Sequence, residues 1–232
     1  MKLSIVIPAY NEEKRILKTL EDYYSFFKKK LKNSFELVII PNNCTDDTYK
    51  ISQEFSKHKK NIQIFNIPYY VGKGGAVIKG FEIAKGDLIG FVDADNSTGP
   101  ENFFKLYENI NGFDGIIGSR KLIGSVVYPK RRLTQDLSSY MFNLLVRILF
   151  NFKFKDTQCG AKIFKKECAR YLSEKISEKA WAFDVDILYL CKKKNYKILE
   201  YPIHWSDSVG SKLTLLGEIE SVFKLLKYRI KN

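Results

Sequence analysis

Two carboxylates stand one residue apart in the segment Phe91-Val-Asp-Ala-Asp-Asn96, directly after a strongly apolar run. Residues 87–92 are predicted to form a buried strand, so Asp93 and Asp95 would lie where it leaves the sheet. On extended backbone, side chains at positions i and i+2 point to the same side. Mg²⁺ and Mn²⁺ take oxygen ligands, often one or two carboxylates together with substrate phosphates. The spacing therefore indicates a metal site, with a solvated turn as the alternative.

Two further features are suited to phosphate. Arg120 follows a predicted strand and can present paired N–H groups to phosphate oxygens. The run Gly72-Lys-Gly-Gly75 places flexible backbone N–H groups, those of Lys73 and Gly74 among them, at a predicted helix start. Such a position favours anions, although a tight turn would explain the glycines equally well and the run is not a Walker A motif. Because a divalent cation can bridge two phosphates, the three features together indicate a nucleotide diphosphate.

If the chain moved a group from such a nucleotide diphosphate to an acceptor, further candidates would depend on the chemistry of that acceptor. A hydroxyl acceptor needs a general base, for which Asp184 is the candidate with Asp186 behind it; the alternative for Asp184 is the N-cap of the following helix. A phosphate monoester has a second pKa of about 6 and needs no strong base. Arg131, within a basic run at 130–132, is a candidate clamp for an acceptor phosphate. Tyr10 is a candidate for stacking on a nucleobase, with a buried tyrosine at a strand end as the alternative.

Composition sets the class of protein. The chain has 232 residues, 45% of them hydrophobic, which suits one large domain or two small ones. Its formal net charge of +13 favours anionic partners such as phosphates, nucleic acid or an acidic membrane surface. The four cysteines form no Cys-x-x-Cys pair, so a zinc site or disulfide framework is not indicated and a reducing compartment fits best. The sequence shows no signal peptide pattern and no run of about 18 uncharged apolar residues.

The first half of the chain must position these groups, and it alternates strands with helices. Near-continuous apolar strands with interleaved helices predict a mostly parallel central sheet covered on both faces. Ligands of such sheets bind outside the carboxyl ends of the strands, which is where the polar candidates fall. The strands are predicted at 3–7, 36–40, 61–65, 87–92 and 114–118, and the helices at 11–32, 45–55, 72–84 and 100–110.

The second half is less regular. Helices are predicted at 133–149 and 184–193, and strands at 161–164 and 198–201. A last amphipathic helix, predicted at 213–230, has a basic end. It either packs on the domain or lies on anionic lipid.

Several motifs occur in an order typical of one enzyme family. They are LSIVIPAYNE (3–12), GKGGA (72–76), FVDAD (91–95), GSR (118–120), DTQCG (156–160), WAFD (181–184) and GSK (210–212). Together they resemble glycosyltransferase family 2, and most closely its branch of dolichyl-phosphate glucosyltransferases and mannose synthases. The last three motifs fit the glucosyltransferase side better.

The resemblance implies an α/β GT-A fold whose nucleotide-binding half is Rossmann-like. The chain would be a single catalytic domain, 1–232, with a nucleotide-sugar half (1–120), an acceptor half (121–212) and a C-terminal amphipathic helix (213–232). It would move a hexose, glucose or mannose, from a UDP- or GDP-sugar to a polyprenyl (dolichyl) phosphate with inversion, using Mg²⁺ or Mn²⁺. We therefore expect a cytoplasmic protein in peripheral contact with the cytoplasmic face of the membrane, without a signal peptide or transmembrane segment.

The resemblance also implies residue roles. The nucleoside pocket would be lined by Pro8, Ala9, Tyr10 and Glu12. The metal and diphosphate would be held by Asp93, Ala94 and Asp95. The sugar and acceptor would lie near Gln158, Trp181, Asp184 and Lys212, while Arg120 would contact the diphosphate or the acceptor phosphate. Catalysis is expected to depend on Asp95, Asp184 and Arg120.

One departure from the family concerns recognition of the donor's nucleobase. Where such enzymes usually carry an acidic pair after the second strand, this chain has Pro41 and Asn42. An amide both donates and accepts hydrogen bonds, whereas a carboxylate only accepts. Asn42 is therefore a candidate base contact that leaves uracil and guanine both open.

Three other functions remain as alternatives. The first is a family-2 enzyme that glycosylates a glycan hydroxyl. The second is a nucleic-acid-binding protein, which the net charge suggests, although stacking aromatics among basic residues are not evident. The third is a nicotinamide-dependent dehydrogenase, which fits less well because the glycine run does not follow the first strand.

Overall fold

A computed structural model describes residues 2–129, 133–179, 182–206, 222–223 and 225–227, with the side chains of 133–138 outside the description. The strands are β1 (Leu3–Ala9), β2 (Phe35–Pro41), β3 (Ile62–Ile64), β4 (Leu88–Val92), β5 (Gly115–Ser119), β6 (Val126–Tyr128), β7 (Ala161–Lys165), β8 (Ile198–Pro202) and β9 (His204–Ser206). The helices are α1 (Ile16–Leu31), α2 (Thr48–Ser56), α3 (Gly72–Ile83), α4 (Pro100–Asn109), α5 (Leu133–Phe150), α6 (Lys166–Lys175) and α7 (Phe183–Lys193).

The central sheet has the order β3-β2-β1-β4-β7-β5-β8. Its strands are parallel except β7, which runs antiparallel between β4 and β5. The mostly parallel sheet expected from the sequence is thus confirmed. The reversed strand has a consequence for the site, because Val92 at the end of β4 pairs with Ala161 at the start of β7. The loop that precedes β7 therefore arrives beside the residues that follow β4.

The core explains the apolar strands. Every residue of β1, β2 and β4 is buried, because helices cover both faces of the sheet. Alternate residues of a strand point to opposite faces. Thus Ile5 of β1 lies in a cluster with Tyr23 and Phe27 of α1, whereas Val6 lies in a second cluster with Phe81 of α3.

Helices α1 and α2 both begin later in the chain than the sequence predicts. Helix α1 begins at Ile16 rather than Asn11, because Asn11 adopts a φ of 54° and the N–H of Arg15 closes a turn on the carbonyl of Glu12. Helix α2 begins at Thr48 rather than 45, after an Asp46 carboxylate that accepts from the N–H of Thr48 at 3.0 Å.

The second half holds elements that the sequence did not predict. Helix α6 follows β7 directly, and β6 and β9 form a separate two-stranded parallel pair. Of the amphipathic helix predicted at 213–230, the described residues 222–223 and 225–227 are helical. Val222 and Leu225 are buried in one cluster with Phe142 and Val146 of α5. The apolar side of this part of the helix therefore packs on the domain.

Candidate active site

The polar candidates gather at the edge of the sheet where the parallel strands end. Asp93 and Asp95 follow β4, Arg120 follows β5, Asn42 follows β2, and Tyr10 follows β1. Since carboxyl ends of neighbouring parallel strands meet at one edge, the topology explains why residues far apart in sequence converge.

The carboxylate of Asp93 lies between a cation and a glycine. The ammonium of Lys73, in the first turn of α3, contacts Oδ1 of Asp93. The other oxygen lies against the α-carbon of Gly160, where a β-carbon would overlap it. Burial raises the pKa of the Asp93 carboxyl above its usual value, and the Asp95 carboxylate adds to this, while Lys73 opposes both. The carboxylate is thus fixed in place by its neighbours and electrostatically dependent on a nearby positive charge.

Asp95 is linked to the segment after β1. Its Oδ1 accepts the N–H of Ser97 at 2.9 Å, and its Oδ2 lies 3.9 Å from Nη1 of Arg15. Arg15 also donates from Nε and Nη2 to both oxygens of Glu12, each at 2.7 Å. Burial raises the pKa of Glu12, and Arg15 opposes this. Arg15 therefore joins the predicted pocket residue Glu12 to the acidic pair, a role that sequence reasoning missed.

The loops after β1 and β2 interlock. The N–H of Glu12 donates to Oγ1 of Thr48 at 2.7 Å, and the N–H of Glu13 donates to Asp46 at 3.0 Å. The exposed ring of Tyr10 meets that of Tyr70 edge to face, with centroids 5.7 Å apart. Pro8 and Ala9 end β1 and pair with β2. A base stacking on Tyr10 would thus rest on a well-supported loop.

The side-chain amide of Asn42 is buried, and only its N–H group has a hydrogen-bond partner among the described residues. Its side-chain N–H donates to the carbonyl oxygen of Ala9 at 3.1 Å. Its amide oxygen is enclosed and accepts no hydrogen bond from any described residue. An enclosed acceptor without a donor costs about 1–3 kcal/mol, so this oxygen is suited to a donor brought by a ligand.

The glycine run at the start of α3 is explained by packing. The N–H of Gly74 donates to the carbonyl oxygen of Lys179 at 2.9 Å. A β-carbon at position 74 would come within 2.7 Å of Cβ of Phe183. Asp186 holds the same segment by accepting the N–H of Ser177 at 2.9 Å. The Gly74 N–H expected to bind an anion thus has a partner inside the chain, whereas the Lys73 side chain reaches the site.

Arg120 is paired with the buried carboxylate of Asp156. Nε and Nη2 of Arg120 donate to the two Asp156 oxygens at 2.7 and 2.9 Å, and the guanidinium lies 5.3 Å from the ring centroid of Trp205. Although burial alone would raise the pKa of Asp156, the Arg120 guanidinium holds it well below the usual range. Arg120 is therefore held rigidly at the end of β5, and Asp156 is the first residue of the loop that ends at Gly160.

Asp184 lies at the start of α7 and pairs with a fully enclosed lysine. Lys162 of β7 contacts the Asp184 carboxylate and donates to the carbonyl oxygens of Cys159 at 2.7 Å and Thr157 at 3.2 Å. Asp184 is the second residue of the helix, and Ala182 takes the N-cap position, so the N-cap alternative for Asp184 is wrong. Lys162 was missed, although a lone lysine inside the apolar strand Ala161-Lys-Ile-Phe164 was a signal in the sequence.

The structure describes two further candidates, Ala94 and Gln158, whereas three others fall outside the described residues. The carbonyl of Ala94 accepts from Oγ1 of Thr19 at 2.7 Å, which fixes the turn between the two aspartates. The backbone N–H of Gln158 donates to Asp156 at 3.3 Å. The candidates outside the described residues are Arg131, Trp181 and Lys212.

The carboxylates of Asp93 and Asp95 can hold a divalent cation only if a bound substrate supplies further oxygen ligands. Among the described residues, no group of three or more His, Cys, Asp or Glu side chains is arranged to hold a metal. Two carboxylates at one strand end, with phosphate oxygens supplying further ligands, match the usual way in which Mg²⁺ is bound. The residues present therefore fit a cation that arrives with a diphosphate.

Comparison with known proteins points in the same direction. Residues 4–173 match the family model described as glycosyl transferase family 2. A dolichyl-phosphate β-glucosyltransferase of Dictyostelium discoideum is 36% identical over 91% of this chain and 68% of its own length. The enzymes of that name from Saccharomyces cerevisiae and Homo sapiens are 35% and 29% identical, covering 92% and 91% of this chain and 69% of each relative.

Solved structures share the fold at lower identity. Glucosyl-3-phosphoglycerate synthase of Mycobacterium tuberculosis, solved with UDP, has a TM-score of 0.70 and 16% identity over 97% of this chain and 80% of its own. TarS of S. aureus, solved with UDP-GlcNAc, has a TM-score of 0.65 and 21% identity over 100% of this chain and 67% of its own. The expected GT-A fold is confirmed.

Proposed function

Because the chain belongs to glycosyltransferase family 2, we propose that it transfers glucose from UDP-glucose to the phosphate of a polyprenyl phosphate, with inversion at the anomeric carbon. The observation that carries this proposal is the contact of Asp93 with Gly160, which joins the acidic pair to the loop of the DTQCG motif. That motif favours the glucosyltransferase branch, and relatives that cover most of this chain bear the name dolichyl-phosphate β-glucosyltransferase.

Asn42 supports uridine over guanosine in the donor. Guanine presents adjacent N–H donors on its pairing edge, whereas uracil presents a single N–H between two carbonyl groups. Asn42 offers one unused acceptor, because its N–H already donates to Ala9. One acceptor satisfies one donor, so the uracil edge matches this side chain better.

The acidic pair would hold Mg²⁺ or Mn²⁺ on the donor diphosphate. Bound there, the cation would neutralise the charge that develops on the leaving diphosphate. Asp93 and Asp95 provide the ligands, and the Gly160 contact and the Ser97 N–H keep the two carboxylates in place. Arg120, and Lys212 outside the described residues, would add positive charge on the leaving-group and acceptor side.

The acceptor phosphate is itself the nucleophile in this reaction. Its second pKa is about 6, so at neutral pH it is mostly a dianion and no proton has to be removed. One of its oxygens forms a bond to the anomeric carbon while the bond from that carbon to the β-phosphate oxygen breaks, and the electron pair leaves with UDP. Asp184, enclosed and paired with Lys162, would then orient the sugar or acceptor instead of acting as a base.

A polyprenyl acceptor places the enzyme against a lipid surface. Exposed apolar side chains suited to such contact are Ile123, Tyr128, Tyr140, Met141, Ile148 and Phe223. No helix in the described ranges is both long and apolar enough to cross a bilayer. We propose peripheral contact with the cytoplasmic face of the membrane through exposed side chains of this set, Ile148 and Phe223 among them, aided by the net positive charge.

The liposome test uses matched substitutions. Ile148→Gln with Phe223→Gln should weaken binding to vesicles containing anionic lipid and leave the melting temperature unchanged, because both side chains are exposed. Val222→Gln should lower the melting temperature instead, because Val222 is buried. Undiminished vesicle binding by the double variant would refute a role of Ile148 and Phe223 in membrane contact.

The test of the reaction is a donor panel with a short polyprenyl phosphate. UDP-glucose with Mn²⁺ should carry label into the organic phase, with a product whose mass is that of the glycosyl phosphate and which mild acid cleaves. GDP-mannose should carry little label into the organic phase. The Asp95→Ala variant should abolish transfer and keep the circular dichroism spectrum of the wild type. An acid-stable product on a glycan would favour the hydroxyl-transferring alternative, and transfer by a well-folded Asp95→Ala variant would disprove the metal role.

A further inference from the structure

The Lys73 ammonium lies next to Asp93, where a divalent metal cation would also bind. The ammonium comes from the first turn of α3 and the carboxylate from the end of β4, so two separate elements bring the charges together. Both side chains are partly exposed, at 26% and 29%. An ion pair at this place puts a positive charge where a divalent cation bound by Asp93 would also lie.

Among the described residues, two other cations near the acidic pair are more firmly held. Arg15 donates to both oxygens of Glu12, and Lys162 is fully enclosed with two carbonyl acceptors besides Asp184. Lysine is a compact charge on a flexible four-carbon stem, so the partly exposed Lys73 can change partner at little cost. Asp184 and Asp95 lie near enough to stabilise its positive charge.

We propose that Lys73 is the resident counter-ion of Asp93 and moves to the donor diphosphate when a divalent cation takes its place. The proposal rests on the proposed function, in which a cation and a nucleotide diphosphate share this site. It makes Lys73 a gate on metal binding. A cation alone must displace the ammonium from its contact with Asp93 and offers it no new contact, whereas a cation arriving with a diphosphate offers that ammonium phosphate oxygens.

The consequence is thermodynamic coupling between the two ligands. UDP should raise the affinity for Mn²⁺, and Mn²⁺ must raise the affinity for UDP by the same factor. Removing the ammonium should strengthen the binding of Mn²⁺ alone, because a competing charge next to Asp93 is lost. It should weaken the binding of UDP with Mn²⁺, because the diphosphate loses a partner.

The experiment measures Mn²⁺ binding by electron paramagnetic resonance, with and without UDP, and needs no turnover. Lys73→Met removes the charge and keeps a long apolar stem. Lys79→Met is the matched control, since Lys79 lies on the same helix and pairs with Glu82 on the exposed side. Uridine, which lacks phosphate, tests the base pocket separately, and near-ultraviolet circular dichroism checks that the variants fold.

The expected result is a Lys73→Met protein that binds Mn²⁺ alone about tenfold more tightly than the wild type and shows a smaller effect of UDP. Uridine affinity should stay unchanged, and Lys79→Met should behave as the wild type. If UDP strengthens Mn²⁺ binding in the wild type but Lys73→Met leaves the UDP-free affinity unchanged or weaker, the counter-ion role is wrong and the proposed function stands. If the wild type binds Mn²⁺ neither alone nor with UDP, both fail.

Discussion

The carboxylate of Asp93 lies so close to the α-carbon of Gly160 that any side chain at position 160 would overlap it. The two residues follow and precede neighbouring antiparallel strands, β4 and β7, whose pairing of Val92 with Ala161 brings them together. The loop from Asp156 to Gly160 also holds Arg120 through its first residue. One loop therefore sets the positions of both an acidic and a basic candidate residue.

Gly160→Ala should disturb the position of the Asp93 carboxylate while the protein still folds. The added methyl group must displace the Asp93 carboxylate, so we expect transfer activity and affinity for UDP with Mn²⁺ to fall at least about tenfold. Gly99→Ala is the control, because a β-carbon there would meet only the Glu101 carboxylate, at an ordinary 3.4 Å. Isothermal titration with UDP and Mn²⁺ measures the effect, and unchanged affinity in a folded Gly160→Ala protein would contradict it.

Lys162→Met should be strongly destabilising. It leaves the enclosed Asp184 carboxylate without its cation, and removing one partner of a buried ion pair typically costs about 3–5 kcal/mol. Adding Asp184→Asn removes the orphaned charge, so the double variant should be more stable than Lys162→Met alone. Urea unfolding measures the free energies. Purely additive losses in the double variant would show that the pair does not act as a unit.

The sheet was predictable because its strands are mainly apolar runs, whereas the reversed direction of β7 was not predictable. The run Ala161-Lys-Ile-Phe164 predicts a strand, but a strand's residue pattern carries no sign of whether it runs parallel or antiparallel to its neighbours. Helix α6 was missed for a related reason: it follows β7 without a turn, so the sequence gives no break between them.

The candidate site was predictable where motifs carry polar groups to strand ends, as at Asp93 and Asp95. Pairings across the chain were not, because Arg15 with Asp95, Lys73 with Asp93 and Arg120 with Asp156 depend on distances between elements. The same limit applies to Gly74. The sequence suggested that this glycine belongs to an anion-binding loop, but a glycine is required there because Phe183 packs closely against it.

Asp156 should make stability depend on pH in the acid range. Its pKa in the folded protein lies well below its usual 3.8, because Arg120 favours the charged form. A group with a lowered pKa contributes stability that is complete above the unfolded value and is lost as the pH falls from there toward the folded value. Asp156→Asn should therefore be less stable than the wild type at pH 7, and the difference should shrink below about pH 4. Urea unfolding at pH 7, 4 and 3 checks this, and a constant difference would contradict it.

Asn42 offers a test of base recognition that is independent of the metal. Asn42→Ala removes the enclosed amide oxygen, so uridine and UDP should bind about tenfold more weakly, while binding of pyrophosphate with Mn²⁺ should not change. Asn42→Asp keeps an acceptor for the base but cannot donate to the carbonyl of Ala9. That variant should be less stable in urea and yet retain more uridine affinity than Asn42→Ala. Equal uridine affinity in the wild type and Asn42→Ala would mean that the base is read by another group. The enclosed oxygen would then be a cost of folding without a function.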